Sequence, residues 1–272
     1  MSLLQAIILG IIQGLTEFLP ISSSGHLVIV PFLLGWNIPE EHIFIFDVLV
    51  QMGTLLAVIV YFRKDLWGIL SGFLQGLAQR RPFSTPKARM GWYLILATIP
   101  AGLFGIFIKD QVESAFNSPV ATALFLLVTA SFLLLSEWIG RRSRPLDSIT
   151  WKDALWMGCA QALAVFPGIS RSGSTIAGGL SRHLERPAAA RFSFLMSIPI
   201  MLAAGLLAGM DLFEVPNLAG FLPIILAGFI TAAIVGYLSI HWLLTYLSRH
   251  SLRVFAIYCA AIATVTLIVA YV

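Results

Sequence analysis

Charge is the scarcest property of this chain. Asp, Glu, Lys and Arg make up 11% of its 272 residues against 58% hydrophobic, and the mean hydropathy is +0.91. A soluble domain keeps roughly a quarter of its residues charged, so this composition excludes a water-facing surface and leaves a lipid-facing one. Cysteine is almost as rare. Cys159 and Cys259 sit inside apolar stretches, which excludes a disulfide framework, and neither has metal-ligand spacing. The formal charge of +4 comes from basic residues in clusters, a topology signal rather than a nucleic-acid footprint. A signal peptide is not expected either. The first segment has no positive n-region, and the polar run after it is no small-residue cleavage site. Residues 1–35 are therefore read as part of the fold.

What the chain has in quantity is long apolar runs, with nineteen Phe and seven Trp. Six stretches can cross about 30 Å of hydrocarbon, near 43–62, 90–108, 118–139, 188–209, 219–242 and 253–271. The loops between them alternate in charge. Arg63, Lys64, Arg80, Arg81, Lys87 and Arg89 face Asp65 alone in one, Arg141, Arg142, Arg144 and Lys152 fill the next, and Arg249 and Arg253 the last. The others hold Glu40 and Glu41, then Lys109, Asp110 and Glu113, then Asp211 and Glu214. The positive-inside rule places the basic loops in the cytoplasm and both termini outside.

Residues 1–35 and 151–187 are apolar but interrupted by Pro, Gly and Ser. Each must begin and end on one side of the membrane to keep the charge pattern, so each reads as a re-entrant helical hairpin around a protein-lined cavity. The two are copies. Displaced by 148 positions, Gly10–Gly25 matches Gly158–Gly173 at eight of sixteen places, including Gln13/Gln161, Phe18/Phe166, Ser22/Ser170, Ser24/Ser172 and Gly25/Gly173, and Phe44 and Phe46 fall on Phe192 and Phe194. The expectation is one all-α membrane domain of six spans and two hairpins. Repeat 1 covers about 1–140 and repeat 2 about 151–272, and three spans per copy make the second inverted. Such folds bring their broken helices together near the midplane, with helix N-termini facing a shared cavity.

The breaks carry the chemistry. Gln13 and Glu17 are four apart and share a helix face. Pro20 disfavours helix at Leu19, and Ser22, Ser23, Ser24, Gly25 and His26 follow at the next helix start, an anion cradle of free N–H groups and hydroxyls. Capping accounts for one serine, not three. Glu17 at membrane depth costs several kcal/mol and is a functional candidate by default. The second break reads Pro167-Gly-Ile-Ser170-Arg171-Ser172-Gly173-Ser174-Thr175. Arg171 can pair with Glu17, and among hydroxyls it can also grip a phosphate bidentately; the two are compatible. Asp47 and Gln51, one turn apart, either support the site or join helices by hydrogen bonds. His42, His183, His241 and His250 lie at span ends and read as interfacial.

Gln13-Gly-Leu-Thr-Glu17-Phe-Leu-Pro-Ile-Ser-Ser-Ser-Gly-His26 and Pro167–Thr175 closely resemble the two signatures of the bacterial undecaprenyl-diphosphate phosphatase family, the bacitracin-resistance type, and the resemblance runs over essentially the whole chain. It implies a multi-pass enzyme of the bacterial inner membrane whose site opens outward and which removes the terminal phosphate of a polyprenyl diphosphate lipid for peptidoglycan synthesis. It implies no organic cofactor and no nucleic-acid partner; its partners are its lipid substrate and membrane lipid, and a homodimer is compatible with it. It also suggests help from Mg²⁺ or Ca²⁺ brought with the diphosphate. The family often has Glu where this chain has Gln13, which leaves Glu17 as the one carboxylate for such an ion. On both readings, Ser23 is the nucleophile, Glu17 or His26 the proton acceptor and Arg171 the phosphate clamp. Gln13, Ser22, Ser24, Gly25, Ser170, Ser172, Gly173 and Thr175 bind substrate, and direct attack by water is the competing mechanism.

Two other readings share parts of this pattern. Inverted repeats with broken helices also build transporters and flippases. Ser24-Gly25-His26 matches part of another membrane lipid phosphatase signature, which needs a histidine six residues after Ser-Arg; here Ala177 and Ala188 stand at those places.

Overall fold

The structure, a computed structural model, describes residues 1–36, 40–107, 109–116, 118–211 and 218–272; side chains at 40–45, 106, 109, 110, 113, 114, 207–211 and 218–220 are outside the description. The acidic-loop residues Glu40, Glu41, Lys109, Asp110, Glu113, Asp211 and Glu214, and also His42 and Phe44, fall on those undescribed positions.

The described residues form helices and no strand; a single isolated bridge joins Arg144 to Leu184. The helices are α1 (Leu3–Thr16), α2 (Ser23–Leu33), α3 (Glu40–Tyr61), α4 (Arg63–Ala78), α5 (Pro86–Phe107), α6 (Lys109–Phe116), α7 (Pro119–Ile139), α8 (Trp151–Leu163), α9 (Arg171–Ser181), α10 (Arg186–Asp211), α11 (Leu218–Leu247) and α12 (Arg253–Tyr271). Among the described residues four helical segments are long and apolar enough to cross a membrane: Pro119–Ile139, Arg186–Leu206, Phe221–Leu247 and Arg253–Tyr271. Their outer faces keep Leu, Ile and Trp exposed, as in Trp138, Leu206 and Ile257. Lipid satisfies such a surface where water would not. The chain is an integral membrane protein.

The basic stretch 63–91, expected as a loop, is largely helical. Helix α4 turns 78° from α3 at Phe62 and packs on the start of α5. Gly68, Gly72 and Gly76, one turn apart, leave room for Lys87 and Ala88.

Both interrupted segments are helix–break–helix units, α1–α2 and α8–α9. Their starts are built alike. Ser2 and Gln5 form a reciprocal capping box at α1, and Thr150 and Asp153, each 148 positions later, form one at α8. The second helices are capped alike as well, Ser22 Oγ accepting from Gly25 N (3.2 Å) and Ser170 Oγ from Gly173 N (3.0 Å). Helix α1 packs along α11, and α8 along α5. Matched glycines permit both approaches, since a Cβ at Gly10 would stand 2.6 Å from Gly228 O and one at Gly158 2.6 Å from Ala97 O. Phe18, Phe192 and Phe194 are buried beneath the breaks, with Phe18 edge-on to Phe194 at 5.2 Å between centroids.

Candidate active site

Each break is held open by a neighbouring long helix and by the other break. Thr129 of α7 donates its Oγ1–H to Gly168 O (2.9 Å) and accepts from Ser170 N (2.9 Å). On the other side Cys259 Sγ of α12 reaches Pro20 O, 148 positions before Gly168, at 3.8 Å. Between the breaks, Gly168 N donates to Ser22 Oγ (3.1 Å) and Ser172 Oγ to Leu19 O (3.0 Å). Gly168 has φ +96°, and a Cβ there would meet Thr122 O at 2.3 Å. Only glycine fits that combination.

This crossing brings Glu17 and Arg171 together from positions 154 apart. Arg171 Nη2 donates to Glu17 Oε1 at 2.6 Å. Ser23 Oγ donates to Glu17 Oε2 at 2.5 Å, and Gln13 Nε2 donates to the same oxygen at 2.9 Å. Glu17 is only 4% exposed, so its charge is held by three donors in a site shielded from bulk water, where charge-assisted hydrogen bonds are strong. Two polar atoms of the cluster have no partner among the described residues, Arg171 Nη1 and Gln13 Oε1. Buried groups of that kind are rare in folded proteins and call for a missing ligand or water. A free guanidinium N–H suits a phosphate oxygen.

The remaining expected residues fall around this centre. Ser22 pairs with Ser24 (3.4 Å between hydroxyls) and Ser170 with Ser172 (3.2 Å). The Thr175 hydroxyl bonds Arg171 O (2.7 Å) and Ser193 (2.6 Å between hydroxyls), so it braces Arg171's helix. His26 has both ring nitrogens engaged, Nδ1 with Ser22 O (2.7 Å) and Nε2 with Tyr258 OH (2.8 Å), and touches neither Glu17 nor Ser23 by hydrogen bond. Tyr258, Thr129, Ser193 and Cys259 did not emerge from the sequence, where hydroxyls and thiols in apolar spans look like ordinary interior residues. The side chains of Asp47 and Gln51 make no hydrogen bond among the described residues.

Gln13 Oε1 is the oxygen of the Glu17 cluster left without a partner among the described residues, and the one it could offer a divalent cation. Both Glu17 oxygens are already taken by Arg171, Gln13 and Ser23. Among the described residues no three His, Cys, Asp or Glu side chains cluster, whereas Mg²⁺ and Ca²⁺ sites need several oxygen ligands.

The family model described as bacitracin resistance protein BacA matches residues 6–265. The chain belongs to that family. Among its relatives are proteins named undecaprenyl-diphosphatase from Chlorobium phaeobacteroides, strain DSM 266 (43% identical, covering 95% of this chain and 93% of the relative), and from Chlorobium chlorochromatii (46%; 95% and 93%). One from Methanosphaera stadtmanae is 43% identical over 100% of this chain and 99% of its own. Gln13, Glu17, Ser23 and Arg171 all lie inside the matched region.

Proposed function

We propose that this chain hydrolyses undecaprenyl diphosphate to undecaprenyl phosphate and inorganic phosphate, with the chemistry at the Glu17–Ser23–Arg171 centre. The observation that carries the reading is the hydroxyl of Ser23 donating to a buried carboxylate at 2.5 Å, with an arginine on the carboxylate's other oxygen. A nucleophile and a phosphate clamp thus share one carboxylate, the base, through its two oxygens.

The steps balance as follows. Ser23 Oγ attacks the terminal phosphorus as its proton passes to Glu17. The bridging P–O bond breaks, and Glu17 returns the proton to the departing lipid monophosphate. Water then attacks the phosphoserine, giving one proton through Glu17 to Ser23 Oγ and keeping the other on inorganic phosphate. Arg171 releases Glu17 Oε1 as it grips the transferred group with Nη1 and Nη2. Each proton transfer to a positioned base contributes roughly 10²- to 10⁴-fold in rate.

The architecture we infer is six spans, α3, α5, α7, α10, α11 and α12, with α1–α2 and α8–α9 as re-entrant hairpins of two inverted copies. Supporting this reading are the paired capping boxes, the paired N-caps and the matched packing of α1 on α11 and α8 on α5. The basic loops then face the cytoplasm of a bacterial inner membrane. The site opens outward, where spent diphosphate carrier is released.

The test is product analysis with the purified protein in detergent. Undecaprenyl diphosphate should yield the monophosphate lipid and one inorganic phosphate, and Arg171→Ala should abolish the yield. Absence of release by folded protein, with or without Mg²⁺ or Ca²⁺, would move the transporter reading ahead.

A further inference from the structure

The second helices of the two breaks are capped alike, but the backbones differ at two matched pairs, Pro20/Gly168 and, beside Ser23, Ser22/Ser170. Ser170 has φ −66° and ψ 121°, an ordinary extended cap. Its counterpart Ser22 has φ 71° and ψ 100°, a conformation that costs a non-glycine residue of order 1–3 kcal/mol and persists only where its surroundings enforce it. Enforcement is visible. The carbonyl of Ser22 accepts two hydrogen bonds from one residue, His26 N (3.1 Å) and His26 Nδ1 (2.7 Å). A carbonyl can only accept, so Nδ1 carries the ring proton. In the neutral ring Nε2 is then an acceptor, and Tyr258 OH donates to it at 2.8 Å. The second break has no such chain among the described residues: the residue matching His26 is Ser174, whose hydroxyl has no partner there, and Ser170 N is held by Thr129.

We infer that Tyr258 of α12 is a positioning residue for the reaction, acting through His26 to hold the strained Ser22 peptide that aims Ser23 at Glu17. The inference rests on the phosphatase reading for its kinetic consequence, but its structural half does not. On this account His26 carries no proton to or from the substrate. Its second nitrogen serves Tyr258, while Glu17 alone faces the nucleophile. Tyr258 is 42% exposed, so removing its hydroxyl opens no buried void and should leave the fold intact.

Two experiments on the full-length protein in detergent test this. In steady-state phosphate release from undecaprenyl diphosphate, Tyr258→Phe should lower kcat about tenfold, the loss of one well-made hydrogen bond, with KM within about twofold of wild type. His26→Asn, which keeps a donor for Ser22 O and cannot shuttle protons at neutral pH, should retain more activity than His26→Ala. The double variant His26→Ala/Tyr258→Phe should match His26→Ala alone. An unchanged kcat in Tyr258→Phe, or His26→Asn as inactive as His26→Ala, would overturn the inference, the second result making His26 a proton carrier. Hydrogen–deuterium exchange without substrate reads the structural half independently of activity. Tyr258→Phe should accelerate exchange in a peptide spanning 22–26 and leave one spanning 170–175 as in wild type; equal protection of 22–26 in the two proteins would refute the relay even if wild type released no phosphate.

Discussion

Glu17 and Arg171 are worth comparing as partners and as catalysts, because the two roles respond differently to substitution. Arg171→Lys keeps a positive charge for Glu17 but loses the planar fork and its spare Nη1. It should cost at least about 10²-fold in kcat/KM, a loss comparable to removing one preorganised donor to transition-state charge, while the thermal midpoint moves little. Arg171→Ala leaves a buried carboxylate unpaired and should also destabilise the protein by about 3–5 kcal/mol. Thermal unfolding beside phosphate release separates the two effects. Both residues were legible in the sequence, because an ionisable group inside an apolar run has few structural excuses. Tyr258 was not. A tyrosine in an apolar span reads as an interfacial aromatic until the fold brings it, from 232 positions away, onto His26.

Single helices and breaks were legible in proportion to how strongly the backbone is punctuated. Pro20, Pro167 and the Ser-Gly runs end helices for local reasons, and the breaks appear where those residues stand, between α1 and α2 and between α8 and α9. Helix α4 was missed because its charged ends and four-residue glycine spacing look like a loop; the glycines fit a packing contact with α5 that only tertiary structure reveals. The same logic sorts glycines by consequence. Gly168→Ala, at φ +96° with Thr122 O in the way, should lower stability by about 2 kcal/mol or more and reduce phosphate release with it, since the residue joins both breaks. Gly102→Ala in α5 meets nothing within 4 Å and should be neutral or stabilising by up to about 1 kcal/mol. Thermal midpoints of the two variants in one detergent provide the comparison.

At the scale of the whole molecule, the described residues include a network of buried acids and arginines away from the Glu17–Arg171 centre. Asp153, in the first turn of α8, accepts from Arg144 (2.6 Å from Nη2) and Arg182 Nε (2.9 Å), and Glu137 of α7 takes Arg186 at 2.7 and 2.6 Å and Leu252 N at 2.8 Å. These bonds tie the 140–150 loop, the end of hairpin α8–α9 and the start of α12 into one lock. The equivalent of Asp153 at the other end is Gln5, whose side-chain hydrogen bonds among the described residues stay within its own capping box. Burial pushes the Asp153 carboxyl up, but hydrogen bonds from Arg144, Arg182 and Thr150 outweigh it and hold it well below the usual carboxylate range. Its folded value lies below the unfolded value of about 3.9, so the stabilisation is complete above roughly pH 5 and drains away as pH falls through the folded value. Asp153→Asn should lower the thermal midpoint at neutral pH and flatten its decline toward acid. An unchanged acid limb would place the pH sensitivity elsewhere. Which acid meets which arginine depends on loops folding over one another and was not readable in the sequence.

The most direct test of the account is phosphate release from undecaprenyl diphosphate by purified Ser23→Ala and Glu17→Gln beside wild type, each verified as folded by its thermal midpoint. Serine attack assisted by Glu17 predicts that wild type releases phosphate and that both variants fall by at least about 10²-fold. Substantial release by Ser23→Ala would contradict the nucleophile and give the attack to water, and full activity in Glu17→Gln would remove the base on which the site is built.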